Sequence, residues 1–167
     1  MITRISDNRY VIDMANEKPY GMGVFIDIYP YDGLGTTEKE AVTYGMKGDR
    51  LSSLCYQSTR EHFAIETTTS LFRKIIKYPI FIGSKLMGKD YFQKKLNQLV
   101  ELKEYEDSNY IGCVVWLSGG KKEIFLRKWF DETVMVPFEK YQFRVPKDYD
   151  EVLRHTYGDY MQLPPEK

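Results

Sequence analysis

The chain has 167 residues, enough for one domain with a sizeable core and short for two, so residues 1–167 are expected to form a single domain. Lys plus Arg and Asp plus Glu balance at 24 each, which excludes a global electrostatic pull toward nucleic acid. No apolar run approaches the ~20 residues that span a bilayer, and Met1-Ile2-Thr3-Arg4-Ile5-Ser6 lacks a secretory apolar stretch, so a soluble or at most peripheral protein is expected. Cys55 and Cys113 are too few and too far apart for a zinc motif or a disulfide framework.

Residues 1–20 alternate weakly, with Tyr10-Val11-Ile12-Asp13 strand-like, and begin abruptly, as if joining something upstream. Gly23-Val24-Phe25-Ile26-Asp27-Ile28-Tyr29-Pro30 reads as a central strand, stopped by Pro30 and a turn at Asp32-Gly33. Strand alternation puts Val24, Ile26 and Ile28 on one face and Asp27 between Phe25 and Tyr29 on the other. A carboxylate there is costly unless it is paired, hydrogen-bonded or bound to a cation. Two readings are open: Asp27 is satisfied structurally, or it is a metal ligand at the C-terminal end of a strand, where α/β ligand sites gather. Asp32 is a turn former or a second oxygen donor.

Thr37-x-x-Glu40 is a capping-box signature opening a helix to about Arg60, interrupted or frayed near Gly45 and Gly48. A second helical region covers about 69–102, with Pro79 and Gly83 expected to kink or split it. Between Ser70 and Lys103 it carries eight basic residues against two acids, interleaved with Leu, Ile and Phe. Such a stretch is a core-facing helix with a solvated cationic face, or it lies on an anionic membrane surface.

Ile111-Gly112-Cys113-Val114-Val115-Trp116 reads as a strand ending at a Ser118-Gly119-Gly120 turn, followed by a short helix near Lys122–Phe130. Val134–Glu139 and Gln142–Val145 form a hairpin closed at Lys140-Tyr141. Asp148 with Glu151 marks a helix start, and Gly158 its stop. The tail from Tyr157 to Pro165 is either a strap packed on the core or a site wall whose rings could hold a quaternary ammonium group. His62 and His155 read as ordinary surface or packing residues.

The opening Gly23–Asp32 segment, the closing Tyr149–Pro165 segment and, between them, Trp129-Phe130 and Pro137-Phe138-Glu139-Lys140-Tyr141 resemble the LicD family. The resemblance runs from about residue 3 to 167 and is weakest across 40–120. It implies an α+β fold, a small mixed β-sheet flanked by helices, as an incomplete nucleotidyltransferase-like domain. It also implies Mg²⁺-dependent transfer of phosphocholine, or a related phospho-headgroup, from a CDP-choline-like donor to teichoic acid or lipopolysaccharide. By the same resemblance Asp27 matches the third of three metal-binding carboxylates, and is expected to act as catalytic metal ligand. Tyr29, Asp32, Tyr157, Asp159 and Tyr160 are expected at the substrate. The family's Pro-Trp-Asp-Asp-Asp-Ile-Asp run, which supplies the other two carboxylates, has no counterpart here. The chain therefore resembles a C-terminal portion, with a separate N-terminal half as partner. The expected location is cytoplasmic, with peripheral contact at the inner membrane face through 70–103 as the second of the two readings of that basic stretch. The alternative is a non-catalytic choline- or phospho-ligand-binding module that keeps the fold.

Overall fold

The computed structural model describes residues 3–7, 9–11, 23–63, 70–117 and 120–162. The α+β expectation holds: four helices accompany three small sheets, all antiparallel among the described residues. The chain divides into two compact units, Met1–Pro30 with Lys47–Leu102, and Tyr31–Met46 with Lys103–Lys167.

In the first unit, β1 (Thr3–Asp7) pairs with β2 (Val24–Ile28) as a two-stranded ribbon in which Arg4 faces Asp27 and Ile5 faces Ile26. The Gly23–Pro30 stretch is thus not a central strand. Its β-branched face is open, with Ile26 70% exposed, because β2 has a single partner among the described residues. Tyr10 and Val11 lie in no strand, and Ile12 and Asp13 fall outside the described residues.

The helical region expected over 69–102 breaks elsewhere than anticipated. Helix α2 (Leu71–Met87) runs through both Pro79 and Gly83. It ends at Gly88, whose φ of 76° is left-handed and suits glycine. Helix α3 (Lys89–Val100) then buries Phe92, Leu96 and Leu99, a single stripe at helical spacing that forms this unit's core with Phe81 of α2.

The second unit is built on a three-stranded sheet in the order β3 (Asp32–Gly35), β4 (Tyr110–Gly112), β5 (Phe125–Leu126). The register shifts between Gly33 and Gly35, and Leu34 in that bulge is fully buried. Gly33 is required by close approach: a Cβ there would lie 2.4 Å from the Glu104 carbonyl oxygen. Ser108 ties the turn together, its hydroxyl accepting from Gly35 N at 3.2 Å and donating to Glu104 O at 2.9 Å. The strand expected over 111–116 stops at Gly112, since Trp116 N donates back to Cys113 O in a turn. Ser118 and Gly119, the anticipated turn, lie outside the described residues. The short helix near 122–130 is two single turns, Gly120–Glu123 and Arg127–Phe130, flanking β5.

Helix α1 (Glu38–Thr59) starts where the capping signature placed it. Thr37 Oγ1 accepts from Glu40 N at 3.3 Å, and Glu40 reaches back to Thr36 N at 3.0 Å. The fraying expected at Gly45 and Gly48 is absent. Gly45 is buried, and a Cβ would meet Leu117 Cδ2 at 2.3 Å, so this glycine serves close packing. The hairpin of β6 (Thr133–Phe138) and β7 (Tyr141–Pro146) turns at Glu139-Lys140, with Glu139 left-handed at φ 52°. Helix α4 (Tyr149–Tyr157) ends at Gly158 as read from the sequence, but Asp148 makes no side-chain capping bond. The neighbouring Asp150 is the engaged acid instead.

Candidate functional site

Asp27 is held by Arg4. As cross-strand partners, the two side chains meet in a two-pronged ion pair, Nε to Oδ1 at 2.6 Å and Nη2 to Oδ2 at 3.0 Å. The Arg4 guanidinium also lies 3.7 Å over the Phe25 ring, and the Tyr29 hydroxyl reaches Asp27 Oδ2 at 3.5 Å. Arg4 thereby holds the Asp27 carboxyl below the usual carboxylate range. Mg²⁺ needs several converging oxygens before it gives up its waters. Among the described residues no three His, Cys, Asp or Glu side chains come together as a metal cluster. One carboxylate matched to one guanidinium does not fit Mg²⁺.

The remaining expected residues lie in the second unit. Asp32 is half-buried on β3, and that burial raises its carboxyl pKa. Tyr157 is 70% exposed at the end of α4. Tyr160 donates to Asp150 Oδ1 at 2.6 Å, while Arg154 Nε binds Asp150 Oδ2 at 2.6 Å. These bonds pin the turn containing Asp159 back onto α4. Leu163–Lys167, the rest of the anticipated strap, fall outside the described residues.

A concavity of about 280 Å³ lies in this unit, lined by Glu38, Tyr110, Lys121, Ile124, Leu126, Trp129 and His155. Each element delivers one kind of group. The first turn of α1 brings Glu38, and the one-turn helix at Gly120–Glu123 brings Lys121, whose Nζ lies 2.8 Å from Glu38 Oε1. That ammonium, with His155 adding to it, lowers the Glu38 pKa. His155 of α4 meets the Trp129 ring at 5.6 Å and Phe125 at 5.7 Å, and its Nε2 donates to Lys121 O at 2.9 Å. Because a carbonyl only accepts, Nε2 carries a proton. Behind these residues Tyr31 stacks on Phe125 at 5.4 Å and meets Phe130 edge-on.

The result is an apolar hollow with aromatic walls and one charge of each sign, suited to a small zwitterion. An anionic group would take Lys121; a cationic group would take Glu38 and the rings. Glu38 and Lys121 carry no signal in the sequence, and His155 reads there as an ordinary surface or packing residue, because the three are distant in the chain and form no motif. The only signal for Arg4 is the weak alternation of residues 1–20.

Comparison with known proteins supplies the deciding observation. The chain is 32% identical over 168 residues to the lipopolysaccharide cholinephosphotransferase LicD of Haemophilus influenzae, a match covering 99% of this chain. The chain is a homologue of LicD. It spans 60% of the length of that relative. No family model matches the chain, and no solved structure matches it.

Proposed function

We propose that this LicD-like chain takes part in transferring phosphocholine, or a related phospho-headgroup, from a CDP-choline-like donor to a cell-surface glycan, lipopolysaccharide or teichoic acid. The observation that carries the proposal is the 32% identity to LicD across 99% of the chain. In the reaction an acceptor hydroxyl attacks the phosphorus next to choline. A new P–O bond forms, the bond to CMP breaks, and the hydroxyl proton is lost to solvent or a base. Because the donor is a nucleotide, we place the protein at the cytoplasmic side of the membrane.

Within that reaction the chain's own residues bind and orient the headgroup. The quaternary ammonium sits against Trp129 and Tyr110 beside Glu38, and the phosphate faces Lys121. Mg²⁺ is the cofactor that the family resemblance implies, and it would neutralise phosphate charge when bound. Asp27, matched to Arg4, does not by itself offer Mg²⁺ a site among the described residues.

Calorimetry with phosphocholine tests the headgroup site. Trp129→Ala and Lys121→Ala should each weaken binding by about tenfold, on the scale of ~1–2 kcal/mol for a cation–aromatic or charge-assisted contact. Unchanged affinity in both variants would overturn the placement.

The second reading is a non-catalytic binding module, favoured by the engagement of Asp27 with Arg4. The two separate in a CMP-release assay with CDP-choline and Mg²⁺, with and without an added LicD-type N-terminal segment. Release that needs the segment and is abolished by Asp27→Asn supports the transferase; choline binding without release under either condition supports the module.

A further inference from the structure

Helix α2 is turned inside out relative to an ordinary core-facing helix. At 100° per residue, Leu71, Phe72, Ile75, Ile82 and Leu86 share one half of its circumference. Arg73, Lys74, Lys77 and Lys85 occupy the other half, and the helix contains no acid. Its two buried residues, Phe81 and Ser84, fall on the cationic half. The apolar half therefore faces away from the helix's own fold. Leu71 is 74% exposed, Ile75 65% and Leu86 84%. A helix serving its own core shows the reverse arrangement.

We propose that α2 lies in the interface of an anionic lipid membrane, its apolar half among the acyl chains and its four cations at the headgroups. Charge complementarity selects this occupant. A second copy on the same face would bring two sets of four cations together, whereas anionic lipid supplies counter-charge along the whole length of the helix. Lys74 and Lys85 flank the apolar half, where their long stems can follow apolar surface and keep the charged heads in the polar layer, while Arg73 and Lys77 lie on the far side of the helix. Tyr78, 52% exposed, adds an amphipathic ring of the kind enriched at lipid–water boundaries. Among the described residues no helix is long and apolar enough to cross a membrane, so the contact is one of lying on the surface. The proposal is independent of the transfer chemistry and of the headgroup site.

Co-sedimentation of the full chain with vesicles tests it. Phosphatidylcholine vesicles containing about one-third phosphatidylglycerol should bind at least tenfold more chain than phosphatidylcholine alone, at roughly fivefold per cation engaged, and high salt should remove the difference. Ile75→Glu and Leu86→Glu should each cut binding roughly tenfold or more by removing buried apolar surface. Lys74→Gln with Lys77→Gln should abolish most of the preference for anionic lipid. Ile75, Lys77 and Leu86 are exposed and Lys74 is half-buried, and unaltered circular dichroism and melting would confirm folding. Equal binding to both vesicle types, or anionic-vesicle binding unaffected by Ile75→Glu and Leu86→Glu, would overturn the proposal. So would light scattering that shows a dimer dissociated by Ile75→Glu, which would assign the face to a second copy.

Discussion

The two units of this chain divide their apolar side chains differently between core and surface. The second unit encloses Leu34, Ile111 and Val114 completely, and the turn around Ser108 satisfies its polar groups internally, while its β6–β7 hairpin leaves Phe138 64% exposed. The first unit has a small core on α3 but displays Ile26 on β2 and Leu86 on α2 to solvent. The difference teaches that hydrophobicity in this sequence has two destinations. One part specifies a self-contained sheet and its concavity. The other remains on the surface, where apolar area is an interaction surface rather than a fold determinant.

Six substitutions, in four measurements, would break or sharpen that contrast. The largest effect is expected for Leu34→Ala, which should cost about 2–5 kcal/mol, while Leu86→Ala should stay within about 0.5 kcal/mol. Urea unfolding of the two variants measures the gap directly; equal losses would erase the distinction between the units. Gly45→Ala should cost about 1–3 kcal/mol by overpacking against Leu117, although alanine is the better helix former. A more stable Gly45→Ala protein would show that helix propensity outweighs packing there.

Glu139→Gly should stabilise the hairpin by about 1 kcal/mol, because glycine adopts the left-handed backbone at φ 52° without the Cβ penalty. Thermal melting detects this as a small rise. The smallest effect concerns pH. The Asp27 pKa is lowered in the folded chain, chiefly by Arg4, so the pair's contribution is present above the ordinary carboxylate value. It is lost as pH falls through the lower, folded value. Asp32 has the opposite sign: burial raises its pKa, so its contribution is fully present below the ordinary value and lost as pH rises through the folded one. Asp27→Asn should therefore flatten the acid limb of the stability curve, and Asp32→Asn should improve stability at neutral pH relative to acid. Identical pH profiles for wild type and both variants would remove this electrostatic account.

Much of this architecture was legible where one local signal dominated. Thr37 and Glu40 announced the start of α1, Gly158 the end of α4, and the alternation of 134–145 the β6–β7 hairpin. The reading failed where a residue had two physical uses. Gly45 looked like a helix breaker and is a packing contact; Pro79 looked like a boundary and is accommodated within α2. Gly23–Pro30 carried the composition of a central strand, yet its exposure depends on what pairs beside it, a non-local property that composition does not encode. The concavity was hidden for the same reason: Glu38 and His155 are 117 positions apart in the chain and meet only through tertiary structure.

The pairing of β3 with β4 also has a consequence for the order of events during synthesis. Gly35 and Tyr110 are neighbours in the sheet, and the whole of α2 and α3 lies between them in the chain. β3 leaves the ribosome first and waits, with Leu34 lacking its burial partners, until about 75 more residues have been made. At typical elongation rates that delay is on the order of 4–15 s. During it, the helices of the first unit, whose contacts are local, are free to form. A nascent chain carrying an exposed, apolar, cationic α2 would thus meet its surroundings before the sheet that bears the concavity has closed.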